Sequence, residues 1–169
     1  MEEIKCLITT KTGKAIKCIP EILNRLLIKD PNAKVIEYTK NVLLISSLLD
    51  PLTIYGLLIS HPPSCAEKIF PFQLITKPLE KDLVEKTINY IRQNFNDLKK
   101  FYVRCINRNS NINCKTIEIA IGIGLKNFWQ VDFKNPEIII YVNALKDFCG
   151  ISFLRKGQEK FRLTLSNKI

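Results

Sequence analysis

At 169 residues, 46% of them hydrophobic, the chain can bury one ordinary core or two small ones, and its class is soluble globular. Lys and Arg number 26 against 16 Asp and Glu, and the net charge of +10 points to an anionic partner, with a basic surface kept for solubility as the plain alternative. The most apolar run, residues 42–60, is broken by Asp50-Pro51 and by Gly56, which excludes an uninterrupted membrane span of about twenty apolar residues.

The charge is uneven. Residues 1–76 hold nine basic and seven acidic side chains, a net of +2, whereas residues 77–169 hold seventeen and nine, a net of +8. The second half therefore carries the field. No signal peptide opens the chain, so a reducing, cytoplasmic setting is expected, with the six cysteines free and packed as small hydrophobes. None forms a CxxC pair, and one histidine, His61, is too few for a common zinc site.

Lys5 to Thr10 reads as a strand running into the polar loop Lys11-Thr12-Gly13-Lys14. A helix over residues 16–28 follows from Ile19, Ile22, Leu23, Leu26 and Leu27, with Pro20 expected in its first turn. Strands over 33–39 and 42–47 are joined by Lys40-Asn41, a hairpin connection in which Asn41 can take a positive φ. Asp50 and Pro51 open a second helix, which His61-Pro62-Pro63 stops. Residues 68–76 read as one last strand with Pro71 at an edge or bulge. The first half is thus β-α-β-β-α-β, the order of a ferredoxin-like sandwich.

Pro78 starts a further helix, with Leu79, Leu83, Ile88, Ile91 and Phe95 on one side. A strand from Phe101 to Arg108 alternates Phe101, Val103 and Cys105 against Tyr102, Arg104, Ile106 and Arg108. Ile117, Ile119, Ile121 and Ile123 alternate as in a strand, yet Asn113 is a good helix cap, and a helix is expected there. Strands at residues 130–133, 138–144, 150–154 and 161–165 complete the chain, the first two parted by Asn135-Pro136.

The order of these later pieces, from FYVRCINRNSNINC through WQVDFKNPEIIIYV to LKDFCGISFLRK and KFRLTL, resembles the THUMP domain, a small α/β module of tRNA-modifying proteins. It resembles most the stand-alone THUMP proteins that assist a cytidine acetyltransferase on tRNA. The resemblance implies an α+β chain of two domains, a ferredoxin-like one over residues 1–76 and a THUMP one over 77–169. Arg108 and Asn109 sit where the family shows Arg-Asn after the first strand, and Asp132, Asn135 and Pro136 match its Val-Asp-Leu-x-Asn-Pro turn. Lys146, Cys149 and Arg155 fall on its Lys, Cys and basic positions, and Phe161-Arg162 on its Phe-Arg. Asn143 departs from the glutamate the family tends to have, and the helix after Asn113 is poorer in charge.

No catalytic pairing stands out. His61 beside two prolines reads as a loop residue that ends a helix, and Asp132, Glu137 and Asp147 are scattered among strand ends. Gly122-Ile123-Gly124 is too short for a dinucleotide fingerprint, and no GxxxxGK[ST] phosphate loop exists. The resemblance then implies a non-catalytic adaptor that binds the single-stranded acceptor end of tRNA and presents it for acetylation of a cytidine, with acetyl-CoA and ATP bound by the partner acetyltransferase. The expected RNA contacts are Arg104, Arg108, Asn109, Lys115, Lys134, Lys146, Arg155, Lys156, Lys160 and Arg162. Asn109 could equally just close its turn, Asp132, Asn135 and Pro136 read as structural, and Trp129 and Tyr102 are either core aromatics or platforms for bases. Arg108→Ala with Arg155→Ala is expected to weaken binding and leave stability nearly intact. Two other readings stay open: an RNA-binding subunit or relic of a thiouridine synthetase system, and a small enzyme using Cys65 or Cys149 as nucleophile.

Overall fold

The computed structural model describes residues 3–161. They form two compact units, one of residues 3–73 with 157–161, the other of residues 74–156. The expected strand over 161–165 and Arg162 lie outside the described residues, apart from Phe161, which ends a 3-10 turn (Gln158–Lys160) instead of opening a strand.

The first unit runs β1 (Glu3–Thr10), α1 (Ala15–Leu26), β2 (Lys34–Thr39), β3 (Val42–Ser47), α2 (Pro51–Ser60) and β4 (Ala66–Pro71). The βαββαβ order is as expected, and its antiparallel sheet has the order β2-β3-β1-β4. Cys18, Ile22 and Leu26 recur every four residues on α1 and are buried with Cys6 and Ile8 of β1, Leu43 and Ile45 of β3, and Ile54 and Leu58 of α2. Asn41 does take a positive φ, +63°, and its side chain accepts from Gly13 N–H at 3.0 Å. The Asp50 carboxylate caps α2 by accepting from Leu52 N–H. Pro20 is inside α1 and not in its first turn, because the helix begins at Ala15. It stands on the exposed side, where water can serve the carbonyl its missing N–H leaves open.

Asp30 fastens the end of α1 to β3. Its carboxylate accepts from Ser47 Oγ–H at 2.6 Å, Leu48 N–H at 2.9 Å and Asn32 N–H at 3.0 Å. These bonds, the Ser47 hydroxyl first, hold its pKa below the usual carboxylate range. A depressed folded pKa means that the contribution is complete above the unfolded value of about 3.9 and is lost as pH falls through the folded one. Asp30→Asn is therefore expected to flatten the fall of Tm on acidification below about pH 4; melting curves of the same shape for both proteins would remove Asp30 from that role.

The single strand expected over 68–76 is two strands. Phe72 N–H bonds Lys5 O at 2.8 Å and completes the first sheet; the chain then turns away at Gln73, and β5 (Leu74–Thr76) joins the second sheet. Periodicity could not show this break, because both pieces are apolar and extended. After β5 come α3 (Glu80–Asn94), β6 (Lys100–Arg108), α4 (Cys114–Gly124), β7 (Gln130–Val131), β8 (Ile138–Leu145) and β9 (Cys149–Leu154). The sheet order is β5-β9-β8-β6-β7, with β6 parallel to β7 and β8 and the remaining pairs antiparallel.

The alternating isoleucines are helical, as expected from the Asn113 cap, whose Oδ1 accepts from Thr116 N–H. The alternation is two interleaved sets at a spacing of four. Ile117 and Ile121 enter the core with Leu125, whereas Ile119 and Ile123 face outward, 53% and 68% exposed. Gly124 ends α4 where it meets α3: a Cβ there would stand 2.2 Å from Ile88 Cδ1.

The cysteines differ from the expectation. Cys18 pairs with Cys65 and Cys105 with Cys114, their Cα atoms 5.6 and 5.1 Å apart, while Cys6 and Cys149 are free and buried. Separations within about 4.4–6.8 Å permit a bridge. Folding brings Cys18 of α1 beside Cys65 across 47 residues, a proximity that spacing cannot reveal.

Candidate nucleic-acid interface

β6 and β8 are parallel, with Arg108 opposite Leu145, so both carboxyl ends open on one rim of the second sheet. Ligands of open α/β sheets collect at such rims. Asn109 leaves β6 with φ +68°, and Lys146 sits on the exposed hairpin after β8. Lys115 stands in the first turn of α4, which holds no acidic residue. A cation there opposes the helix dipole, so the helix gains nothing from it and an anion would. Thr76 pairs with Cys149, which brings exposed Lys77 to the same rim, a residue that sequence reasoning passed over.

The loop from β6 to α4 is held by an asparagine that was also missed. Asn107 Oδ1 accepts from Ser110 N–H at 2.8 Å, and its Nδ2 donates to Ser110 O and Ile112 O at 3.0 and 3.2 Å. With Asn113 capping α4 and Cys114 tied to Cys105, the loop is set before any ligand arrives. The legible signal was asparagine at every second position from 107 to 113, since Asx side chains close turns on their own backbone.

Arg108 does not stand at a solvated rim. Its Nε–H donates to Asn143 Oδ1 at 2.8 Å, and burial pushes its pKa below the usual arginine range. Asn143 is fully buried, and its Nδ2 finds no partner among the described residues. Arg108→Ala would orphan the amide oxygen as well, so the expectation of unchanged stability gives way to a loss of about 1–3 kcal/mol. Thermal melting checks this: an unchanged Tm would show the amide to be served by another group.

The remaining expected contacts do not all gather. Arg104 is exposed midway along β6, on the Arg108 side of the strand. Lys134, Arg155 and Lys156 are exposed at the opposite rim, because Leu154 pairs with Ile139 and the turn holding Lys134 bonds Phe101. Lys160 belongs to the other unit.

A family model described as "THUMP domain" matches residues 79–154, the span from the start of α3 to the end of β9. The chain carries a THUMP domain. Solved structures are similar over both units. PH1313 from Pyrococcus horikoshii Ot3 is 13% identical with a TM-score of 0.66, covering 90% of this chain and 54% of its own. TrmN from Thermus thermophilus is 15% identical with a TM-score of 0.61, covering 89% and 45%. A 4-thiouridine synthetase in complex with RNA and ATP is 17% identical with a TM-score of 0.58, covering 90% and 42%. At these identities the likeness is one of fold, and the chain spans about half the length of the structures it matches. No curated protein sequence matches it.

Within the THUMP domain the Asp132 turn is structural: Oδ1 accepts from Lys134 N–H and Asn135 N–H, both at 2.9 Å, and these bonds lower the pKa of the carboxyl. The turn also shortens the expected strand 130–133 to β7. Trp129 is core, 2% exposed. The nucleophile reading loses its geometry, because Cys65 is held in a disulfide and burial pushes the Cys149 thiol up to about 11. Among the described residues no group of three or more His, Cys, Asp or Glu could hold a metal ion, and no helix is long and apolar enough to cross a membrane.

Proposed function

We propose that the protein is a non-catalytic RNA-binding subunit that presents the single-stranded acceptor end of tRNA to a cytidine acetyltransferase. The THUMP domain carries this reading: its rim at the ends of β6 and β8 bears Asn109, Lys115 and Lys146 around a pre-set loop. Phosphates would meet the lysines and the α4 N-terminus, while the polar loop groups would face unpaired nucleotides. Acetyl-CoA and ATP would be bound by the partner, outside this chain.

A second reading, an RNA-binding subunit or relic of a thiouridine synthetase system, is favoured by the likeness to a 4-thiouridine synthetase structure that holds RNA. Binding to whole tRNA, and to the same tRNA lacking its single-stranded 3′ end, tests what the two readings share. Affinity should fall on truncation and with added salt. Indifference to the missing end would leave only a generic basic surface. Adding the protein to a cytidine acetyltransferase or to a thiouridine synthetase with tRNA, and measuring which modification rises, separates the two.

A further inference from the structure

We infer that the groove between α4 and the open edge of β6 seats one unpaired nucleobase, a second RNA contact of the THUMP domain that rests on the RNA-binding reading. The groove measures about 310 Å³, at the small end of ligand sites of roughly 300–1,000 Å³. β6 supplies Tyr102 and Val103, α4 supplies Ile119, Gly122 and Lys126, and Phe133 closes the far side.

Hydrogen bonding along β6 shows what the groove offers. Lys100 O accepts from Glu137 N–H on the β8 side at 2.7 Å, and Phe101 O accepts from Asp132 N–H on the β7 side at 2.8 Å. Backbone groups alternate along a strand, so those of Val103 face the β7 side, but β7 pairs no further than Phe101. Val103 therefore turns one N–H and one C=O into the groove. Cys105, the next residue facing that way, lies outside the lining of the groove. Within the groove, then, Val103 presents one donor and one acceptor side by side, the pattern of the hydrogen-bonding edge of a base.

The walls fit the faces of a base. Tyr102 and Phe133 are stacked with centroids 5.7 Å apart and planes 30° apart, and Phe133 is 75% exposed, leaving ring surface on which a base can stack. A Cβ on Gly122 would meet nothing within 4 Å, so the floor is open. The lining carries one charge of each sign, Lys126 and Glu118, and cations outnumber acids around it: Lys126 also lines the neighbouring hollow with Lys99, Lys100 and Glu137, and exposed Lys134 follows Phe133. An apolar partner helix would leave those cations and the Val103 backbone unanswered, whereas a nucleotide uses both.

The test is binding of an RNA hairpin with a short single-stranded tail, against the same hairpin with abasic residues in the tail, to the whole protein, Gly122→Leu and Phe133→Ala. The leucine grows into open space and Phe133 is a surface residue, so circular dichroism should report both variants folded. The unaltered protein should prefer the intact tail by about fivefold or more. Both variants should bind the intact tail only as tightly as the unaltered protein binds the abasic one, with abasic affinity the same in all three. Equal affinity of the unaltered protein for the two tails, or a preference that survives both substitutions, overturns the groove while the RNA reading stands. No binding of either tail overturns both.

Discussion

Trp129→Ala is expected to destabilise the THUMP domain by about 3–5 kcal/mol, the range for large aromatic truncations in a core. The indole packs against Phe95, Phe101 and Phe128 with centroids 5.2, 5.6 and 5.9 Å away, and its Nε1–H donates to Asp97 O at 3.1 Å. Truncation leaves a cavity and removes this hydrogen bond together. Domain stabilities of roughly 5–15 kcal/mol make such a loss a large share of the total. Urea denaturation followed by circular dichroism measures it, since the variant has no tryptophan left to report by fluorescence. Trp129→Phe should recover most of the loss by restoring apolar volume. An unchanged denaturation midpoint with a specific fall in RNA affinity would return Trp129 to the role of a stacking platform.

Lys115→Glu with Lys146→Glu should weaken RNA binding and make its salt dependence shallower by about 1.4 in the logarithmic slope, for two phosphate contacts on a single strand. Stability should move the other way. An acidic residue in the first turn of α4 meets the positive end of the helix dipole, worth about 0.3–1 kcal/mol in favour of the fold. A variant that binds worse while melting no lower separates loss of charge from loss of structure. A salt slope unchanged in the double variant would move the phosphate contacts away from this rim, and the cations at the opposite one, Lys134, Arg155 and Lys156, would be examined next.

The first of these expectations turns on burial, which the sequence showed only in part. Trp129 lies between an apolar helix and a short strand, and nothing in its neighbours distinguishes a platform from a core. Arg108 fitted the alternation of β6, yet its partner Asn143 is on β8, 35 residues away. The groove beside β6 draws on three separated segments, 101–103, 118–126 and 131–133, none with a motif of its own. The asparagines from 107 to 113 did carry a local signal, because an Asx side chain acts on backbone two or three residues away.

The sequence by itself determined the βαββαβ order of the first half, the caps at Asp50 and Asn113, the positive φ of Asn41, and the concentration of charge in the second half, because each depends on residues within a turn or two of one another. Only the tertiary structure decided which cysteines meet, where the strand 68–76 divides, that Arg108 is half-buried against Asn143, and that the expected RNA contacts split between two rims. Each of those depends on contacts between elements far apart in the chain, and local periodicity carries no information about which elements become neighbours.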